Sequence, residues 1–444
     1  MTNTHRERAE AQLDRAERLN PQLHALISIQ RDTALAAADA ADRGERPGPL
    51  QGMTLSIKDN IDMAGLPTTA GADFLRDAVS AQDATVVARL RAAGAVFVGK
   101  ANMAELAFGS RSYSAVGGQC RNPWNPARIP GGSSGGSAVS VAAGMCTASL
   151  GTDTGGSVRL PSAINGVTGL RATQGRIPSR GSLPVSAGHD TIGPIARDAA
   201  GVAAVFAVVA GHDPLDETSA DAPLPDFLPQ LHAGIAGRRI GIPRTHYFEQ
   251  AEPAVVAAVQ QAMRTLEALG ARLVDVDLPM AADAHRHMSR MVFADICQLH
   301  LDRLQHQPQT ITASVVERMR HGLDVTGLQY AEAVAFKRTW QQQLRELFGR
   351  VDLLLSPTTP TSAPPIEDGH NLLDATRAAT RNTYAGAFGG IPGLSLPCGL
   401  SGEDLPIGLQ LEAAWWQEPL LLQAGVAYQG RTHFHQLQPA MVAG

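Results

Sequence analysis

Two glycine loops that carry serines hold the groups in this chain best suited to chemistry. The first reads Gly131-Gly132-Ser133-Ser134-Gly135-Gly136-Ser137 and the second Asp153-Thr154-Gly155-Gly156-Ser157-Val158-Arg159. Glycine serves where a backbone takes left-handed angles or comes very close to another group, so such loops can turn several N–H groups toward one point. With a serine hydroxyl beside it, that arrangement makes an oxyanion or anion site. A flexible turn is the plain alternative for either loop taken alone. A third residue bears on the choice: Lys58 ends the apolar stretch Met53-Thr54-Leu55-Ser56-Ile57 and is followed by Asp59 and Asn60. A lysine there is either a surface residue with its stem laid on apolar neighbours or a buried working amine.

The elements that must position these groups follow from the apolar pattern. Residues 7–42 read as helical, with Leu13, Leu19, Leu23 and Leu26 on one face, an alanine-rich second segment from Ala34 to Ala41, and Pro21 between them. Residues 53–57 read as a strand, 83–94 as a helix and 95–98 as the next buried strand, a unit that places sites at strand ends. A long irregular stretch rich in Gly, Ser, Asn and Pro leads to Pro130 and into the first loop, as functional loops often do. Residues 137–143 then read as a helix of small residues and 147–151 as a short buried strand, after which the second loop opens a further helix. Beyond residue 200 come an apolar helix at 203–210, a polar linker at 213–229, strands near 238–242 and 273–276 around a helix at 253–269, and a mostly helical stretch at 281–349. Strand texture returns at 352–357, 393–397 and 407–411. No internal repeat stands out, which points to one intertwined domain.

Composition bounds the function. The 444 residues are 44% hydrophobic, enough for a sizeable core, and a net charge of -5 gives no basic footprint for a nucleic-acid backbone. No run nears the ~18 apolar residues of a membrane span, and the polar opening from Met1 to Arg8 lacks the apolar centre of a secretory signal. A soluble cytoplasmic protein is expected. Cys120, Cys146, Cys297 and Cys398 lie far apart without a CxxC pair and read as small buried thiols. His285 with His287, and His433 with His435, are two apart and share no helical face, so no metal is expected there, nor any cofactor elsewhere.

Taken together, the motifs resemble the amidase signature family. The likeness rests on Ile57-Lys58-Asp59-Asn60, the glycine and serine loop from Pro130 to Ala138, the run from Gly151 to Arg159, and Asp190-Thr191-Ile192-Gly193-Pro194. Ser356-Pro357-Thr358-Thr359-Pro360 and Leu405-Pro406-Ile407-Gly408-Leu409-Gln410-Leu411 extend it into the last third. The resemblance implies an α/β fold, a single domain over 1–444 with a large mixed β-sheet covered by α-helices. Within it, a signature core spans about 50–200, a more variable, partly helical region about 213–349, and C-terminal strands and helices 350–444. It also implies a Ser–cis-Ser–Lys triad, in which Ser157 is the nucleophile, Ser133, 24 residues earlier, the bridging serine, and Lys58 the base. The chemistry agrees, since a serine hydroxyl needs a neighbouring base and a lysine acts as one when burial keeps it neutral. The N–H groups of Thr154, Gly155, Gly156 and Ser157 would then meet the developing oxyanion.

The activity implied is hydrolysis of a small-molecule amide through an acyl-enzyme, with loss of ammonia or an amine and a ureide or carboxylated urea as one candidate substrate. Met103, Arg111 and Tyr113, in the loop from Met103 to Gln119, are candidate substrate contacts, with parts of 285–330. The expected partner is that small amide, without nucleic acid for the stand-alone enzyme and without membrane; a homodimer is the candidate assembly, since homodimers are the commonest soluble ones, and the need for a small partner subunit stays open. Within the family the alternative is the glutaminase component of a tRNA-dependent amidotransferase, its A-type chain, which releases ammonia from glutamine. Against it, the Ser-Thr-Glu-Asn run usual in those chains is replaced by Arg111-Ser112-Tyr113-Ser114, and the common Lys-Pro-Thr by Arg171-Ala172-Thr173. Outside the family, Gly132-Ser133-Ser134-Gly135-Gly136 satisfies the G-x-S-x-G elbow of an α/β-hydrolase esterase around Ser134, but no strand precedes it. His189 and Asp190 raise a Ser-His-Asp arrangement, in which a histidine in a glycine-rich turn is more often incidental. A non-catalytic binding protein on the same fold is the rival from another class, opposed by the presence of Lys58, Ser133 and Ser157 together.

Overall fold

The computed structural model describes residues 4–443 of the chain. The first three residues of the polar opening lie outside that range. Thirteen strands form among the described residues: β1 Leu26–Ile29, β2 Thr54–Lys58, β3 Val96–Ala101, β4 Tyr113–Ser114, β5 Gly118–Gln119, β6 Ala148–Asp153, β7 Thr168–Arg171, β8 Thr191–Ala196, β9 Arg239–Pro243, β10 Arg272–Val276, β11 Leu353–Pro357, β12 Gly393–Leu400 and β13 Pro406–Ala413. β4 and β5 make a small hairpin. The other eleven form one mixed sheet in the order β1-β3-β2-β6-β8-β7-β12-β13-β11-β9-β10.

Helices cover both faces, and alternation along β3 shows how. Phe97 joins a core with the helices Thr85–Ala92, Ala199–Val209, Pro253–Ala268 and Glu418–Gln429. Val96 and Val98 point the other way, to Leu13, Ala34, Ala38, Val141 and Ala142 of the helices His5–Leu23, Arg31–Asp42 and Gly135–Ala142. Successive side chains of a strand face opposite sides, so a sheet buried on both reads as continuous apolar runs such as Leu353-Leu354-Leu355. A third core, around Met288, Trp340 and Phe388, belongs to the helices Ala281–Leu299, Gly327–Arg350 and Tyr384–Gly389.

The order of strands places the site. β2 runs parallel to both β3 and β6, so Lys58 and Asp153 both lie at the C-terminal ends of neighbouring strands, on one edge of the sheet. Sites in sheets of this kind gather at such ends. The first loop leads into the helix Gly135–Ala142, which packs on β6 and β2.

Three elements differ from the sequence expectation. The stretch read as helix through Asp42 is broken by β1, where Leu26-Ile27-Ser28-Ile29 gains its partner only from the distant β3. Pro21 lies inside the last turn of the first helix rather than between helices. Near the middle of the sheet, β7 and β8 carry Gly169, Gly193 and Pro194, residues that weaken any strand signal. Pro194 sits opposite Leu150 in the antiparallel β6–β8 ladder.

Gly136 shows how tightly the first loop is docked. A Cβ built there falls 2.3 Å from the carbonyl oxygen of Ala25 and 2.4 Å from that of Asn102. Backbone carbonyls cannot swing aside as a side-chain tip can. Gly136→Ala should therefore cost about 1–3 kcal/mol of stability and lower activity with it; an unchanged melting temperature would show that the loop is not held this closely.

Candidate active site

Lys58, Ser133 and the second loop meet at the joined ends of β2 and β6. Lys58 Nζ lies 2.7 Å from Ser133 Oγ and 2.7 Å from Thr152 Oγ1. Both Lys58 and Ser133 are buried, whereas Ser157 is partly accessible. The Gly132–Ser133 peptide is cis. Ser134 ties the loops together: its N–H donates to Ser157 O at 3.2 Å and its hydroxyl to Thr152 O at 3.1 Å. That hydroxyl is engaged, which leaves the esterase elbow without a free nucleophile at Ser134.

Burial sets the state of the lysine. Removal from water pushes the Lys58 amine down to about 7, against the opposing pull of Asp153 and Asp190. A neutral amine can donate to Thr152 Oγ1 and accept the Ser133 hydroxyl proton. The pair is arranged for proton transfer rather than for an ion pair.

The second loop is gripped from behind. Burial pushes the Asp153 carboxyl up, but Arg159 and Arg171 outweigh it and hold the group well below the usual carboxylate range. Asp153 pairs with Arg159 at 3.1 Å and with Arg171 at 3.0 Å, all three fully buried. Its oxygens also accept from the N–H groups of Gly156 at 2.7 Å and Val158 at 3.2 Å. This corrects one expected oxyanion donor: the Gly156 N–H is already committed to Asp153. The N–H groups of Thr154, Gly155 and Ser157 have no such acceptor among the described residues.

From the front, the helix Tyr384–Gly389 closes on the same loop. Thr383 Oγ1 donates to Gly155 O at 2.6 Å. A Cβ at Gly155 would fall 2.2 Å from Tyr384 Cε2, and one at Gly156, where φ is +138°, 2.2 Å from Thr383 Oγ1. Only glycine allows this approach at both positions.

The expected substrate contacts fare unevenly. Met103 is fully buried in the core with Phe108, so it has no surface to offer a substrate; a long apolar side chain after Asn102 fills space there. Arg111 and Tyr113 line a cavity of about 380 Å³ with Glu105 and Phe108. Arg111 is tied by an ion pair to Asp368 and donates to His370 O at 2.8 Å, while Tyr113 is exposed.

Within the expected stretch 285–330, sequence reasoning did not single out Arg318. It is buried beneath Phe108, its guanidinium carbon 3.8 Å from that ring's centre and 5.3 Å from that of Phe293. Its polar neighbour is the Tyr384 hydroxyl, Nε has no partner, and no carboxylate pairs with it among the described residues. Burial pushes it down to about 10. His285 stacks on Tyr384 with centroids 4.4 Å apart and lines a cavity of about 830 Å³ with Phe293, His246 and His321. Burial, with Arg377 adding, pushes its imidazole down to about 3. A helical arginine between Glu317 and Met319 looks solvated in sequence; only the fold turns it inward.

His189 is not a base for Ser157. Its Nδ1 lies 2.8 Å from Ser186 Oγ and its ring stacks on Phe388. Asp190 instead accepts from Thr154 Oγ1 at 2.5 Å and from the N–H groups of Val185 and Ser186 at 2.8 and 3.0 Å.

Comparison with known proteins shows the family. The family model described as Amidase matches residues 7–422. The A-type chain of the glutamyl-tRNA(Gln) amidotransferase of Chloroflexus aurantiacus is 40% identical over 464 residues, covering 98% of this chain and 95% of the relative. A solved structure described as a vestigial protein complex that reveals the origins of an s-triazine catabolic enzyme superposes with a TM-score of 0.92 at 35% identity, covering 97% and 95% of the two chains. The corresponding amidotransferase chain of Thermotoga maritima superposes with a TM-score of 0.84 at 29% identity, covering 96% and 92%. These relatives correct the expected partners. Proteins named as one component of a tRNA amidotransferase, or described as a complex, overturn the picture of a stand-alone enzyme with a small amide as partner, no nucleic-acid association and a homodimer as the candidate assembly.

The protonated form of Lys58 cannot accept the serine proton. The value of kcat/KM should therefore rise with pH through about 7 and level off above it. A profile flat from pH 6 to 8 would exclude Lys58 as the base.

Proposed function

The chain belongs to the amidase family, and on that premise we propose that it is the amide-cleaving component of an amidotransferase-type assembly. The observation that carries the reading is the buried Lys58–Ser133 contact of 2.7 Å at the foot of the loop that bears Ser157. Ser157 Oγ attacks the amide carbonyl while its proton passes through Ser133 to the neutral Lys58 amine. The N–H groups of Thr154, Gly155 and Ser157 receive the carbonyl oxygen as it gains charge. Collapse breaks the C–N bond, and the proton held by Lys58 returns through Ser133 to the leaving nitrogen, which departs as ammonia. Water then attacks the acyl-enzyme by the same route and frees the acid.

Arg318 supports a substrate with a carboxylate. A buried guanidinium without a counter-ion is costly, and a substrate acid would complete it with charge-assisted hydrogen bonds. Glutamine, the ammonia source of a tRNA-dependent amidotransferase, meets that demand. One observation favours a second use of the same site: the groups against Arg318 among the described residues are the rings of Phe108 and Phe293 and Tyr384, an apolar setting for a glutamine ammonium. An acid amide without an amino group fits that setting.

Ammonia release from glutamine and from acid amides lacking the amine separates these uses. Ser157→Ala should lower kcat/KM on any cleaved amide by roughly 10³-fold or more, and near-normal turnover would end the reading. Arg318→Met should raise KM for acid amides roughly 10- to 100-fold while leaving amides without a carboxylate little changed; equal losses on both would remove the carboxylate assignment.

A further inference from the structure

Of the 37 lysines and arginines in the chain only three are lysine: Lys58, Lys100 and Lys337. Where charge alone is needed, this sequence uses arginine, and the exposed cations on the helix Gly327–Arg350 are Arg338, Arg345 and Arg350. The lysines stand where a compact amine is required. Lys58 is the buried base. Lys100, also buried, donates to Ile61 O at 2.7 Å and pairs with Asp59 at 3.3 Å, fixing the turn that follows Lys58. Lys337 remains unaccounted for by the reaction.

Its surroundings are specific. Lys337 Nζ donates to Gly188 O at 3.1 Å and lies 5.8 Å from the centre of the Phe388 ring. Gly188 belongs to the segment 185–190, which is held at a further point through Asp295. Ser186 donates to Asp295 Oδ2, and Tyr330 donates to the other oxygen of Asp295 at 3.0 Å. Because the Ser186 proton goes to Asp295, His189 donates its Nδ1 proton to Ser186 Oγ at 2.8 Å. The same segment ends in Asp190, whose carboxylate takes the Thr154 hydroxyl. A continuous chain of contacts thus runs from Lys337 through Gly188 and Asp190 to Thr154.

We propose that Lys337 is a positioning residue for amide cleavage: its ammonium fastens segment 185–190, so that Asp190 holds Thr154 and the oxyanion donors in place. The requirement is for the amine and not for a cation in general. A single-point donor fits between a carbonyl and a ring face, where a planar guanidinium, longer and broader, would push the segment outward. The proposal rests on the oxyanion role given above to the loop from Thr154 to Ser157.

The test compares Lys337→Arg and Lys337→Met in the full chain, on whichever amide the wild type cleaves. Both should keep the wild-type melting temperature and KM within about twofold and lose kcat about tenfold, as expected of a misplaced catalytic group. Wild-type kcat in Lys337→Arg overturns the need for an amine, and wild-type kcat in Lys337→Met overturns the role altogether. Combined with Thr154→Val, Lys337→Met should add little further loss if both act through one contact chain; additive losses contradict the coupling. Should a variant fail to fold, acetylation of the folded wild type, with the modified lysine mapped by mass spectrometry, tests the same point. Acetyl-Lys337 enzyme must lose kcat, and full activity overturns the proposal. Turnover by Ser157→Ala would fell the underlying reading instead, a result the Lys337 variants cannot produce.

Discussion

The exclusion of water from Lys58 is the constraint on which this structure depends. An amine gives up its proton near neutral pH only if its charged form is made costly, and burial does that here against two nearby carboxylates. Asp153 would pin the proton on Lys58 if its charge were free. Two buried arginines take that charge, and burial raises the Asp190 carboxyl, so neither acid prevails. A sheet covered on both faces is therefore a chemical requirement of the site as well as a packing solution.

The same buried charges shape the second loop. Asp153 accepts from the backbone N–H groups of Gly156, Val158 and Arg159 while the Arg159 and Arg171 side chains bind Asp153, and Arg171 also reaches the carbonyls of Thr154 and His189. Breaking one member of such a group leaves an uncompensated charge in the interior. Arg159 lies 3.5 Å from Glu412, whose carboxyl burial pushes up to about 7. The loop is thereby held rigid behind the reacting atoms, while Thr383 and Tyr384 set its front. Fixed donors are what make oxyanion stabilisation effective, because they need not reorganise during the reaction.

Much of this was legible in the sequence where local chemistry is loud. The glycines at 155 and 156, the serines at 133 and 157 and a lysine closing an apolar strand each signal a constraint that few other residues satisfy. The strands at 239–243, 272–276 and 353–357 are apolar enough to read directly. β7 and β8 were hidden because glycine and proline occupy positions that the sheet tolerates only through neighbours distant in sequence. Gly156 was read as a donor because its commitment to Asp153 depends on the turn's actual path. Met103 and Arg318 went astray for one reason: which side of a loop or helix faces a cavity is decided by tertiary packing. The partner expectation failed on other ground, since net charge describes the whole surface and says little about assembly with other chains.

With only three lysines in the chain, the central claim can be measured on Lys58 itself. Protein labelled with 13C at the lysine ε-carbon gives three resonances, and Lys58→Met identifies the one that belongs to Lys58. The account predicts that this resonance titrates near pH 7 in the folded enzyme. A Lys58 that stays protonated to the ordinary lysine range, at about 10, would contradict it.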